Sequence, residues 1–217
     1  MASAGNPITP RAFQFLRELA RHNDRDWFNA NKPRYLADVR DPLLAFIAAA
    51  EPELGLEGKL FRIHRDTRFA KDKSPYKTRA AIAFRGAEGG EAPSPAFYLH
   101  LEPGSVFAGA GIWHPSPETL KQVRDAIVAQ PERWQRVTRA KGCALDDDDE
   151  RLSRPPRGYD PAHPRIEDLK RKSFTTSKQF AERDACSADF VRTYAVFCRR
   201  ALPLMAFLAL QRPESVR

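Results

Sequence analysis

The apolar residues of this chain change period twice, and that change limits the fold more than any other feature. Up to about Ile47 they recur at three- and four-residue spacing, from Leu60 to Trp113 they alternate, and from Ser116 onward helical spacing returns. Helical spacing buries one stripe of a cylinder, whereas alternation buries one face of a pleated strand. Helices on either side of one block of strands describe an α+β fold.

Within the block, Phe61 and Ile63 alternate with Arg62 and His64. Thr78, Ala80, Ile82 and Phe84 alternate with Arg79, Ala81, Ala83 and Arg85, and Phe97, Leu99 and Leu101 with Tyr98, His100 and Glu102. Pro103-Gly104 marks a turn before a last strand from Ser105 to Trp113. The prediction is an antiparallel meander of about four strands with one polar face, and helices packed on one side and at the edges. Gly86 to Pro95 (GAEGGEAPSP) reads as a flexible hairpin loop.

Helix signals surround the meander. Thr9-Pro10 opens a helix ending near His22. Asp24 caps a longer one that Pro33 and Pro42 should kink or divide. Ser116-Pro117 and Pro131 open two more, a short basic helix is expected from Arg165 to Lys172, and a last one from about Ser187 to Gln211. At 217 residues the chain suits a single α+β domain over 1–217, the last helix packing on the rest. Asp146 to Glu150, five consecutive acids, reads as a solvated loop or helix start.

The net charge of +8 is concentrated in two stretches. Between Lys59 and Arg79 stand eight basic and two acidic residues, and between Arg151 and Lys178 eight basic and three acidic, leaving the rest slightly acidic. Such a pattern suits acidic partners. The core of the first stretch is Arg65 to Thr78 (RDTRFAKDKSPYKT), with Phe69 and Tyr76 bracketing the charges and strand-like segments on both sides. It reads as a basic loop pinned at both ends, presenting cations to an anion.

Three cysteines without CxxC spacing indicate neither a disulfide framework nor a zinc knuckle. The N-terminus lacks the features of a signal peptide, and the longest apolar run, Leu202 to Leu210, is too short to span a bilayer, so a cytoplasmic location is expected. His64-Arg65-Asp66 lacks the companion motifs of a kinase, and Ser74 to Lys77 those of a serine acylase. Gly109-Ala110-Gly111 lacks the third glycine of a dinucleotide fold, and no phosphate loop occurs. His64, His100, Glu102 and His114 have no metal-ligand spacing, so neither a metal nor a cofactor is expected.

Four ordered segments carry a family resemblance: FLRELARHNDRDWFNANKPRY, FRIHRDTRFAKDKSPYKT, GAGIWHPSPETLKQVRDAI and RPPRGYDPAHPRIEDLKRKSF. Together they resemble the bacterial and fungal family known as domain of unknown function 2461, over about residues 10–175. The resemblance implies a single α+β domain and assigns no catalytic roles.

The favoured function is binding of a phosphate-bearing small molecule or nucleic acid. Arg62, Arg65, Arg68, Lys71, Lys73, Tyr76 and Lys77 would contact the ligand, and Asp66 and Asp72 would orient the cations. Arg157, Lys170 and Lys172 of the second basic stretch would complete a concave site with Trp113, and Tyr159 and Phe174 would offer stacking surfaces. One alternative is an enzyme acting on a phosphorylated or carboxylated small molecule, with Asp66 or Tyr76 as acid or base. Another is a protein-interaction module for an acidic partner, using Trp113 and the basic loop.

Overall fold

A computed structural model of the protein describes residues 6–86 and 94–209. Most of the hairpin loop expected at Gly86 to Pro95, and the end of the last helix at Leu210 and Gln211, lie outside the described residues.

Helix α1, Pro10–Arg21, starts with proline in its first turn, where the missing N–H has no intrahelical partner to lose. Helix α2, Arg25–Tyr35, is capped by the Asp24 side chain, which accepts from the Trp27 N–H at 2.8 Å. Its continuation widens into a π-helical turn, Leu36–Arg40, before α3, Asp41–Leu54. Pro42 has no N–H to give the preceding turn, and the Asp41 N–H bonds to Leu36 O, five residues back. The expected division therefore occurs without a break in the helical path.

Five strands form one antiparallel sheet in chain order: β1 Glu57–Leu60, β2 Ala80–Arg85, β3 Ala96–Glu102, β4 Ser105–Ile112 and β5 Phe174–Phe180. The α+β class is as expected, with two differences. The first strand lies earlier than the Leu60 to Arg65 alternation suggested. After Leu60 only Phe61 keeps a sheet bond, to Ala81 O at 2.9 Å, and the chain then leaves the ladder. Strand β5 was not anticipated: only Phe174 and Thr176 are buried, and Ser177, Lys178 and Gln179 are exposed, so it shows little apolar alternation. The remaining helices are α4 Pro117–Ala129, α5 Pro131–Arg139, α6 Ile166–Leu169, α7 Glu182–Ala185 and α8 Phe190–Ala209.

The chain divides into two compact units. The first comprises Met1–Ala87, Tyr98–Ala108 and Lys178–Val196, and the second Glu88–Phe97, Gly109–Ser177 and Phe197–Arg217. In the first unit, Phe46 packs on Phe190 and Tyr194, Phe84 packs on Tyr194, and Phe15 and Phe28 meet beneath α1 and α2. The second unit is built on Trp134, Phe174, Phe207, Leu169 and Ile127, all fully buried.

Candidate functional site

The basic loop lies in the first unit and is fastened at its base. His64 and Tyr76 form an isolated antiparallel bridge, with Arg65 N–H bonded to Pro75 O at 2.9 Å and Lys77 N–H to Ile63 O at 2.8 Å. Asn23 adds a clamp, donating to Tyr76 O at 2.9 Å and accepting from the Tyr76 N–H at 3.1 Å. The loop is thus pinned at both ends, by a bridge instead of two full strands.

The two aromatic residues of the loop behave oppositely. Tyr76 is 4% exposed and stacks on Phe28 at 4.0 Å between ring centroids, so the residue expected at the ligand is part of the core. Phe69 is 96% exposed, with the Arg68 guanidinium carbon 6.0 Å from its ring centroid.

Charge is distributed less freely than its count implied. Asp72 accepts from the Arg65 guanidinium and from the Ser74 backbone and hydroxyl, and the serine and arginine together hold its carboxyl far below the usual range. Asp66 binds Arg68 through Nε and Nη2, at 3.0 and 2.7 Å, which lowers the carboxyl and raises the guanidinium. Lys73 donates to Thr67 O at 3.0 Å. Both aspartates pair with arginines of the loop, and the two loop arginines are thereby occupied. Lys71 is exposed.

A second set of cations lies at the foot of the loop. Arg62 and Arg79 are exposed and make no ion pair or side-chain hydrogen bond with another described residue, while Lys77 donates to Arg62 O at 3.0 Å. Burial, then the charges of Arg79 and Arg62, hold Lys77 below the ordinary lysine value. Arg79 was not among the expected ligand-binding residues, although it alternates with the apolar positions before β2.

These cations border the polar face of the sheet. Tyr98, His100 and Glu102 project from it at alternate positions of β3, and Phe107 from β4. Tyr98 Oη lies 3.2 Å from His100 Nδ1, and His100 Nε2 lies 3.1 Å from Glu102 Oε2. Thr78 Oγ1 donates to Glu102 Oε1 at 3.0 Å. The chain of contacts assigns the ring proton to Nε2, facing the carboxylate, and makes Nδ1 the acceptor of the tyrosine hydroxyl. His100 stacks on Phe107 at 4.6 Å. A cleft of about 270 Å³ opens beside this network, with Arg17, Arg21, Thr78 and Glu102 in its walls.

His100 gives a pH prediction. Burial holds its pKa below 6.5, only partly offset by Glu102. The folded protein therefore keeps the imidazole neutral where the unfolded chain takes up a proton. Stability is complete above the unfolded value and falls as the pH drops through about 6.5 toward the folded one. Urea unfolding at pH 8 and at pH 5 is expected to show this loss, and His100→Gln to reduce it; equal loss in both proteins would refute the assignment.

In the second unit, the other basic stretch is engaged by the acidic run. Asp148 Oδ2 accepts from the Lys172 and Ser173 N–H groups at 2.6 and 3.3 Å. Asp146 accepts from Thr175 and Ser177 hydroxyls at 3.0 and 2.8 Å, and its carbonyl takes two bonds from Arg171. The run expected as a solvated loop or helix start is a bracket for the segment entering β5. Asp147, Asp148, Asp149, Glu167 and Asp168, with Arg151 and Arg171, line a cleft of about 480 Å³. Lys170 is paired with Glu167 at 2.7 Å, and Arg157 is exposed.

The aromatic residues expected beside this stretch are also committed. Phe174 is fully buried, and Tyr159 donates to Asp125 at 2.8 Å, with burial and that carboxylate pushing its pKa up to about 12. Trp113 is 74% exposed, with the His114 ring edge-on at 4.3 Å. His64, packed against Phe28 and Tyr76, does not join His100 and Glu102. Among the described residues no group of three metal-ligating side chains converges, and no helix is long and apolar enough to cross a membrane.

No curated protein matches the chain in sequence. The family described as "Conserved hypothetical protein (DUF2461)" matches residues 11–207, which takes in all four ordered segments and continues past Phe174 into α8. With nearly its whole length matched, the chain belongs to the DUF2461 family.

Proposed function

We propose that this protein is a cytoplasmic binder of phosphate-bearing ligands, and that the phosphate is held at the foot of the basic loop by Arg62, Lys77 and Arg79. The observation that carries the reading is the crowding of these cations with no ion pair to a carboxylate among the described residues, although Arg62 acts at longer range on Asp66; burial and then the two arginines depress Lys77. An arriving phosphate relieves that repulsion and accepts charge-assisted hydrogen bonds from the guanidinium groups. Lys71, exposed on the loop, adds a further charge, whereas Arg65 and Arg68 serve chiefly to shape the loop through Asp72 and Asp66.

The test is thermal unfolding with pyrophosphate, polyphosphate, sugar phosphates and nucleotides. A ligand at a hundred times its dissociation constant is expected to add about 2.7 kcal/mol of stability. The Arg62→Ala, Arg79→Ala double variant is expected to bind about a hundredfold more weakly, two charge-assisted contacts being worth about 1.5 kcal/mol each. Arg157→Ala with Lys172→Ala should leave binding unchanged. Absence of stabilisation by every phosphate tested, in a folded wild-type protein, would end this reading.

A further inference from the structure

The cations at the foot of the loop share their surface with aromatic rings, and this says more about the ligand than charge alone. Phe61 is 40% exposed, its ring centroid lies 6.2 Å from that of Tyr98, and Lys77 Nζ stands 5.9 Å from it. Tyr98 in turn is 5.8 Å from Phe107, and Arg79 is near enough to Tyr98 and His100 to act on both charges. On β2, Ala81 and Ala83 alternate with Ile82 and Phe84, and all four are buried. Rings and cations therefore occur side by side, all within the first unit.

A site for bare phosphate does not need an exposed phenyl ring next to its lysine. An exposed ring costs solvation and is useful where a flat apolar group is to be covered. A ligand that carries flat rings and phosphates at short, regular intervals satisfies both features. The cations also extend beyond what one phosphate requires: Lys59 on β1, Arg62, Lys71 and Arg79 are all exposed along the same stretch of chain. This favours a polymer over a single nucleotide.

Resting on the phosphate-binding reading above, we propose that the ligand is single-stranded nucleic acid, with a base stacked on Phe61 against the edge of Tyr98 and the neighbouring phosphates on Arg62, Lys77 and Arg79. Stacking on an aromatic side chain is tolerant of sequence, since every base has a flat face, and phosphate contacts make binding steeply salt-dependent.

Fluorescence anisotropy of the full chain with a labelled oligouridylate of about ten nucleotides is the direct test. Polyphosphate of similar charge, uridine monophosphate and a duplex serve as competitors. The expected result is competition by unlabelled oligouridylate at concentrations at least tenfold below those needed of the others. Phe61→Ala is expected to weaken oligonucleotide binding about tenfold or more while leaving polyphosphate binding unchanged. Phe61→Leu, which keeps apolar bulk but loses the flat ring, should behave like Phe61→Ala.

Equal affinity for polyphosphate and oligonucleotide, or indifference to both Phe61 variants in folded proteins, would overturn the stacking proposal and leave phosphate binding standing. Equal affinity for the mononucleotide would overturn the polymer. Failure of polyphosphate and oligonucleotide alike would remove the phosphate-binding reading on which the proposal rests.

Discussion

Gly111→Ala is expected to prevent the second unit from folding, with a loss above about 4 kcal/mol. A Cβ at this position would lie 2.0 Å from Phe174 O and 2.9 Å from Thr175 Cα, and the backbone φ is +133°. Both obstacles are main chain, so no rotamer change relieves them; only separation of β4 from β5 does. Phe174 is also one of the largest buried side chains in that core, and displacing its backbone disturbs Trp134, whose ring packs edge-on against it at 5.8 Å.

Gly104→Ala separates the two contributions. Gly104 also has positive φ, +80°, but a Cβ there meets nothing within 4 Å. Its cost is limited to the left-handed conformation, roughly 1–2 kcal/mol. Soluble yield, near-ultraviolet circular dichroism and urea unfolding of the two variants check the pair. A Gly111→Ala protein as stable as Gly104→Ala would contradict the close β4–β5 approach.

Tyr76→Ala is expected to cost about 3–5 kcal/mol, the range for removing a large buried aromatic side chain. It empties the place against Phe28 and lies where Asn23 clamps the loop's backbone. Tyr76→Phe keeps the ring and is expected to change stability by less than about 1 kcal/mol. That second variant separates packing from chemistry. If Tyr76 acted as an acid or base, the stable phenylalanine protein would lose a turnover that the wild type shows. Urea unfolding of both, beside the ligand measurements above, decides between the roles.

The helices other than the four-residue α7, and three of the strands, were legible from local signals. Asp24 and Ser116 do cap their helices with side-chain hydrogen bonds, and β2, β3 and β4 lie where the alternation is clean. Strand β5 escaped because a strand half solvated and rich in Thr, Ser, Lys and Gln gives no apolar period. Its pairing with β4 depends on a residue some sixty positions away accepting a close backbone approach, which only Gly111 reveals.

The site was legible as composition and illegible as geometry. Counting charges from Arg65 to Thr78 finds the excess of cations, but cannot say that Asp72 and Asp66 each take one arginine out of play. Nor does it show that the buried ring is Tyr76 and the exposed one Phe69. The Tyr98, His100, Glu102 series was visible as one face of a strand. Its hydrogen-bonded order depends on side-chain rotamers that alternation does not encode. Acidic residues 146–150 were read in isolation, and their partners lie about twenty-five residues further on.

If the loop binds anions as proposed, its internal ion pairs would also set a threshold for what it can capture. A carboxylate tethered two or seven residues from its arginine competes with any dissolved anion at an effective concentration of order millimolar or higher. A dilute monovalent anion loses that competition. On the proposed reading a ligand with several charges would have another route: it would engage Arg62, Lys77 and Arg79 first, and would then be held on the same loop as Arg65 and Arg68. From that position it can exchange with Asp72 and Asp66 one contact at a time. If phosphate binds as proposed, the loop would act as a valency filter, passing over small anions while remaining open to a polyanion.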